Sequence, residues 1–174
     1  MKKPVKIVLV LGGARSGKSA YAQKLAEQEW AQPLYLAPAE TFDQEMIERV
    51  KLHREQRGPK WGCVEEPLDV ARVILGTTPP RDGVLLDCAT IWLTNVLLKE
   101  GEPAVKTRKQ ELLAALQTSP CDVIIVSNEV GMGIVPDSAL GRTFRDLQGW
   151  LNQELAAIAD SVYFVIAGLP IKIK

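Results

Sequence analysis

Residues 12–19, Gly12-Gly13-Ala14-Arg15-Ser16-Gly17-Lys18-Ser19, have the G-x-x-x-x-G-K-[ST] spacing of a phosphate-binding loop. Glycines let the backbone close around a phosphate with its N–H groups pointing inward, and the N-terminus of a following helix adds roughly half a positive charge. In that geometry Lys18 reaches the β- and γ-phosphates of a nucleoside triphosphate, and the Ser19 hydroxyl ligates Mg2+. The apolar run Val5 to Leu11 stands directly before the glycines, so the context is strand, loop, helix. A plain glycine-rich strand-to-helix turn is the competing reading.

Such a loop needs an acidic partner on a neighbouring strand to order the Mg2+ shell, and Asp87, which closes the run Val84-Leu85-Leu86, is the candidate. Asp87 would also serve as an N-cap for a helix beginning near Ala89, and the two roles are compatible.

His53 is the chain's single histidine. If 42–57 is helical, Met46, Val50, His53 and Arg57 form one stripe that changes from apolar to basic, with Arg49 one turn before His53 and Arg54 beside it. An imidazole attacking a phosphate needs the anionic charge neutralised, and arginine forks suit phosphate oxygens. A satisfied core histidine and a solvated basic helix end remain open alternatives.

Two more strand ends carry polar or small residues. Ser127-Asn128-Glu129-Val130-Gly131-Met132-Gly133-Ile134-Val135-Pro136 follows the run Val123 to Val126, where Glu129 would position a hydroxyl or a Mg2+-bound water, or the stretch is an ordinary loop. Ala37-Pro38-Ala39 would allow a base or ribose to approach closely.

The elements that must hold these residues are visible as alternating patterns. Continuous apolar runs at Val5 to Leu11, Val84 to Leu86, Val123 to Val126 and Val162 to Ala167, with shorter ones at Leu34 to Ala37 and Gly62 to Val64, predict strands covered on both faces. Helical periodicity fills roughly 18–30, 42–57, 67–75, 89–99, 104–118 and 138–159. Strand alternating with helix predicts an α/β fold: a single-domain P-loop NTPase-like arrangement over 1–174, with a mostly parallel sheet and helices on both faces. Ligands of such a sheet gather at the carboxyl ends of its strands. Gly76 to Gly83 reads as a surface loop and Gly101-Glu102-Pro103 as a break between helices.

Composition narrows the function classes. With 174 residues and 47% hydrophobic content, the chain can bury a core; Lys+Arg 21 against Asp+Glu 21 argues against a nucleic-acid backbone or an anionic membrane as principal partner. No run of about 18 apolar residues predicts a transmembrane helix, and no export signal is visible. Cys63, Cys88 and Cys121 lack metal-ligand spacing, which fits free thiols in a reducing cytosol.

Taken together, GGARSGKS, His53-Arg54-x-x-Arg57 with Trp61 eight residues after the histidine, Asp87, Asn128 to Pro136 (NEVGMGIVP), Phe144-Arg145-Asp146 and the ending Gly168-Leu169-Pro170-Ile171-Lys172 resemble one family. It is the bifunctional adenosylcobinamide kinase/adenosylcobinamide-phosphate guanylyltransferase family of cobalamin biosynthesis, and the resemblance covers essentially the whole chain. It implies phosphorylation of adenosylcobinamide with ATP or GTP, then transfer of GMP from GTP to adenosylcobinamide phosphate through a covalent GMP-histidine. The family's guanylylated histidine falls on His53, with Lys18 as the second catalytic residue. Nucleotide-contacting positions fall on Gly12, Gly13, Ala14, Arg15, Ser16, Gly17, Lys18, Ser19, Ala37, Pro38, Ala39, Arg54, Glu55, Gln56, Arg57, Glu65 and Asp87. Ser19 and Asp87 would hold Mg2+. A cytoplasmic homo-oligomer, a trimer, is implied as well. The sequence departs from some relatives in having Leu52 before the histidine, Gly58 before Pro59, and Asp rather than Glu at 87.

Two other classes compete with this expectation. In a monofunctional P-loop kinase of a small metabolite His53 would be structural, and only a guanylyltransferase would retain label from α-labelled GTP. A GTP-binding switch is disfavoured because the chain has no N-K-x-D guanine-reading motif.

Overall fold

The run Ile7-Val8-Leu9-Val10-Leu11-Gly12 forms strand β1 (Ile7–Gly12), and every residue in it is buried. Successive side chains leave a strand in opposite directions. Ile7, Leu9 and Leu11 therefore enter one apolar cluster, and Val8 and Val10 a second cluster on the other face of the sheet. A strand covered on both faces has no polar side to display, which is why the run is continuous. The computed structural model describes residues 5–38 and 58–174, so the helix expected over 42–57 lies outside the described residues.

After β1 come helix α1 (Lys18–Glu29), β2 (Pro33–Ala37), β3 (Gly62–Glu65), α2 (Val70–Leu75), β4 (Gly83–Asp87), α3 (Ala89–Lys99) and α4 (Glu102–Gln117). The chain continues through β5 (Asp122–Asn128), α5 (Ala139–Ile158), β6 (Ser161–Ile166) and β7 (Leu169–Lys172). The strands form one seven-stranded sheet in the order β3-β2-β4-β5-β1-β6-β7. All neighbours are parallel except the β6–β7 hairpin. The α/β class with helices on both faces is as the sequence implies. One face is covered by α1 through Ala22 and Ala26, and the other by α2 to α5 through Ile74, Trp92, Leu112 and Leu151.

Local chemistry sets several boundaries. α2 begins at Val70, three residues later than the periodicity indicates, because Asp69 caps it by accepting from the Arg72 N–H at 3.2 Å. α4 begins at Glu102 rather than 104: Gly101 turns the chain at φ +85, and Pro103 is tolerated in the first turn. Ser138 caps α5 by accepting from the Gly141 N–H at 3.0 Å. β7 has no counterpart in the sequence reading. All four of its residues are exposed and Pro170 sits among them on the sheet edge, so no buried run marks it, and a proline within a short alternating stretch argues against a strand.

Candidate functional site

β1 ends at the carboxyl edge of the sheet, and residues 13–17 arch from it into α1. Two glycines in this arch are required by space. A Cβ on Gly12 would lie 2.7 Å from the Val165 carbonyl oxygen, and Gly17 adopts φ +93 with Gly168 Cα only 3.1 Å from where its Cβ would stand. The Ser16 N–H donates to the Gly13 carbonyl at 3.3 Å, and the Gly168 N–H to the Ser16 carbonyl at 2.8 Å, so the loop is braced by the turn between β6 and β7. That brace was invisible in the sequence, because it depends on β6 lying beside β1.

Lys18 is only 8% exposed. Its Nζ donates to the Gly13 carbonyl at 3.0 Å, so the ammonium is enclosed by the loop's own backbone rather than by the apolar core. The Ser16 hydroxyl is buried without a hydrogen-bond partner among the described residues. A buried unpaired hydroxyl costs free energy unless something polar meets it, and a phosphate oxygen in the loop would do so.

The Ser19 hydroxyl donates to Asp87 Oδ1 at 3.2 Å, and the Tyr35 hydroxyl donates to Asp87 Oδ2 at 3.1 Å. The sheet order thus brings together the two residues expected at a cation. Mg2+ keeps several waters and takes one or two carboxylates together with substrate phosphates. A hydroxyl beside a carboxylate at the mouth of a phosphate loop fits that donor set. The capping role considered for Asp87 is not seen: Cys88 is the N-cap of α3, and no side-chain cap hydrogen bond is present there. Burial pushes the Cys88 thiol above its ordinary pKa, and the neighbouring Asp87 charge adds to the shift.

Ala37 and Glu65 are register partners at the carboxyl ends of β2 and β3. The Pro38 carbonyl accepts from Asn95 Nδ2 at 2.6 Å, and the same nitrogen donates to the Pro67 carbonyl at 3.1 Å. One side chain of α3 therefore ties down the chain on both sides of 39–57. Ala39, His53, Arg54, Glu55, Gln56 and Arg57 fall outside the described residues. Beyond β5, the Glu129 N–H donates to the Gly12 carbonyl at 3.0 Å, and its Oε1 accepts from the Gly131 N–H at 2.7 Å. The Glu129 carboxylate thus helps shape its own loop.

Tyr35, Thr90, Gln148 and Asn152 were missed by sequence reasoning. Tyr35 and Asp87 are two residues out of step on paired strands, since Tyr35 is level with Leu85. Knowing that β2 lies beside β4 would have revealed Tyr35; no motif does. Among the described residues, no group of three or more His, Cys, Asp or Glu side chains is placed to hold a metal.

The chain matches, over residues 8–173, the family profile described as "Cobinamide kinase / cobinamide phosphate guanyltransferase" (CobU). It is 41% identical to the bifunctional adenosylcobalamin biosynthesis protein CobU of Escherichia coli, covering 97% of this chain and 99% of that one. With CobP of Pseudomonas aeruginosa, also described as a bifunctional adenosylcobalamin biosynthesis protein, the identity is 40% over 95% and 96% of the two chains. Among solved structures, the KaiC-like protein of Pyrococcus horikoshii superposes with a TM-score of 0.53 at 16% identity, covering 91% of this chain and 70% of that one, a likeness of fold alone. By a match that spans nearly its whole length, the chain belongs to the cobinamide kinase/cobinamide phosphate guanyltransferase family of bifunctional transferases.

Proposed function

We propose that this protein phosphorylates the aminopropanol hydroxyl of adenosylcobinamide with ATP or GTP. It then transfers GMP from GTP to adenosylcobinamide phosphate through a covalent GMP–His53 intermediate, releasing adenosylcobinamide-GDP and pyrophosphate. The observation that carries this reading is the Ser19–Asp87 contact at 3.2 Å beside a loop that encloses the Lys18 ammonium. Gly12 to Ser19, Ala37 to Ala39, Arg54 to Arg57, Glu65 and Asp87 form the nucleotide site. Both steps belong to one domain, residues 1–174, acting as a cytoplasmic homotrimer.

In the first step the substrate hydroxyl oxygen attacks the γ-phosphorus. A P–O bond forms, the bond to the β,γ-bridging oxygen breaks, the hydroxyl proton passes to solvent and a nucleoside diphosphate leaves. In-line transfer of this kind depends on positioning and electrostatics, which the loop amides and Lys18 supply. Ser19 and Asp87 would hold Mg2+, which when bound would neutralise charge on the phosphate oxygens.

In the second step a neutral His53 ring nitrogen attacks the α-phosphorus of GTP. An imidazole in its neutral form carries a nucleophilic ring nitrogen. A P–N bond forms as the α,β-bridge breaks and pyrophosphate departs. A phosphate oxygen of the substrate then displaces the histidine, breaking P–N and making the diphosphate linkage. Intact-protein mass after incubation with GTP and Mg2+ tests the intermediate: wild type gains one GMP, acid-labile and base-stable, and His53→Asn gains none. An adduct retained by His53→Asn would falsify the assignment.

A further inference from the structure

β5 outruns its neighbour β4. Asp87, the last residue of β4, is level with Val126, so residues 127 and 128 have no strand on that side. On the other side β1 is still alongside, with Gly12 level with Asn128. Main-chain groups left in the interior must find partners, and two side chains provide them. Thr90 Oγ1 on α3 accepts from the Asn128 N–H at 2.8 Å, and Asn152 Nδ2 on α5 donates to the Asn128 carbonyl at 2.9 Å.

A second tier holds these two. The Ser127 hydroxyl donates to Asn152 Oδ1 at 2.7 Å, and Gln148 Nε2 donates both to that oxygen and to Ser127 Oγ, each at 2.9 Å. Thr90 Oγ1 and Ser127 Oγ are 3.4 Å apart. Ser127 and Gln148 are wholly buried, Asn152 is 4% exposed and Thr90 7%. The Asn128 main-chain groups cannot themselves be made apolar, so losing Thr90 or Asn152 would leave a buried peptide group unpaired, and the network both satisfies this peptide and holds it in one place.

Strand alternation turns Ser127 towards α3 and α5. It turns Asn128 to the opposite face, which Ile124 and Val126 share with α1 and onto which the phosphate loop bends. There Asn128 Oδ1 is buried without a hydrogen-bond partner among the described residues, and it is an acceptor suited to an O–H donor at the phosphates. We infer that Thr90 and Asn152 are positioning residues: they grip the Asn128 main chain from two helices, fix its carboxamide against the phosphate loop, and act on phosphoryl transfer through Asn128. The inference rests on the nucleotide occupying this loop as proposed above.

The test uses the full chain with cobinamide, GTP and saturating Mg2+, measuring kcat and KM alongside equilibrium binding of a fluorescent GTP analogue. Thr90→Val keeps the shape and removes the acceptor. It is expected to lower kcat at least tenfold with analogue affinity within twofold of wild type, whereas Thr90→Ser, which keeps the hydroxyl, stays within about threefold in kcat. Asn128→Ala is expected to lower kcat as much as Thr90→Val, and adding Thr90→Val to Asn128→Ala to cost less than a further twofold. A merely structural role would not give that non-additivity. Wild-type kcat in Asn128→Ala, or Thr90→Ser as impaired as Thr90→Val, would overturn the inference, and Asn128→Ala decides the matter should Thr90→Val not fold. Lys18→Ala separates the two readings: if it binds the analogue and turns over like wild type, the phosphate-loop assignment itself fails. A Lys18 effect with no Asn128 effect sinks only the positioning role.

Discussion

The Tyr35 phenol donates to Asp87 Oδ2 at 3.1 Å from the neighbouring strand β2, while the other carboxylate oxygen accepts from Ser19 at 3.2 Å. The carboxylate is thereby oriented from two elements, and its hydroxyl neighbour on α1 is the one a cation would share. An edge contact with Trp61, ring centroids 6.3 Å apart, holds the Tyr35 ring. Tyr35→Phe keeps that packing and removes only the donor. A hydrogen bond of this kind is worth ~1 kcal/mol net, so the Mg2+ concentration for half-maximal activity should rise about fivefold with little change in melting temperature. A Mg2+ titration superimposable on wild type would show that the phenol does not orient the carboxylate.

Asp87→Asn preserves the shape and removes the charge. The loop amides grip phosphates independently of this side chain, so GDP affinity measured with a chelator present should stay within about twofold. The Mg2+ requirement should rise at least tenfold. Equal losses in both measurements would place Asp87 among the groups that hold the nucleotide.

Lys18→Ala should fold normally despite the burial of the side chain. Lys18 belongs to neither apolar cluster, and the substitution removes one hydrogen bond, to the Gly13 carbonyl. Both half-reactions should fall by about 100-fold or more, the scale of losing one preorganised group that stabilises transition-state charge. The check is turnover measured beside a thermal melt. Full activity in a folded variant would mean that another cation serves the phosphates.

Thiol chemistry offers a probe of the same corner. Cys88 is buried and its pKa is raised, first by burial and then by Asp87, whereas Cys63 is partly exposed. Maleimides react with the thiolate, so at neutral pH Cys63 should be modified well before Cys88, with Cys88 labelled on unfolding. Peptide mapping after brief labelling measures the order, and early modification of Cys88 would contradict the packing around α3.

Much of the arrangement was legible because its signals are local. Glycine spacing, the run before it and the helix after it lie within a short stretch, and the apolar runs mark the buried strands. Tyr35 and Asp87 are 52 residues apart and meet only because β2 pairs with β4, an ordering that local periodicity does not encode. Gln148 and Asn152 look like ordinary polar positions of an amphipathic helix until the shortness of β4 leaves the Asn128 carbonyl for Asn152 to satisfy, with Gln148 bonded behind it. β7 escaped for the opposite reason, since an exposed edge strand carries no core pattern.

The placement of β1 between β5 and β6 bears on how the protein is made. β1 leaves the ribosome long before its pairing partners: the Lys6 N–H reaches Asp122 across 116 residues, and the Ile7 N–H reaches Asp160 across 153. Contacts of such long range form slowly, because the chain between them must be ordered first. The phosphate loop is braced in turn by Gly168, whose N–H holds Ser16. The phosphate loop is thus completed only after β6 and the turn that follows it have been made, and until then β1 is an unpaired apolar segment that a holdase chaperone would recognise.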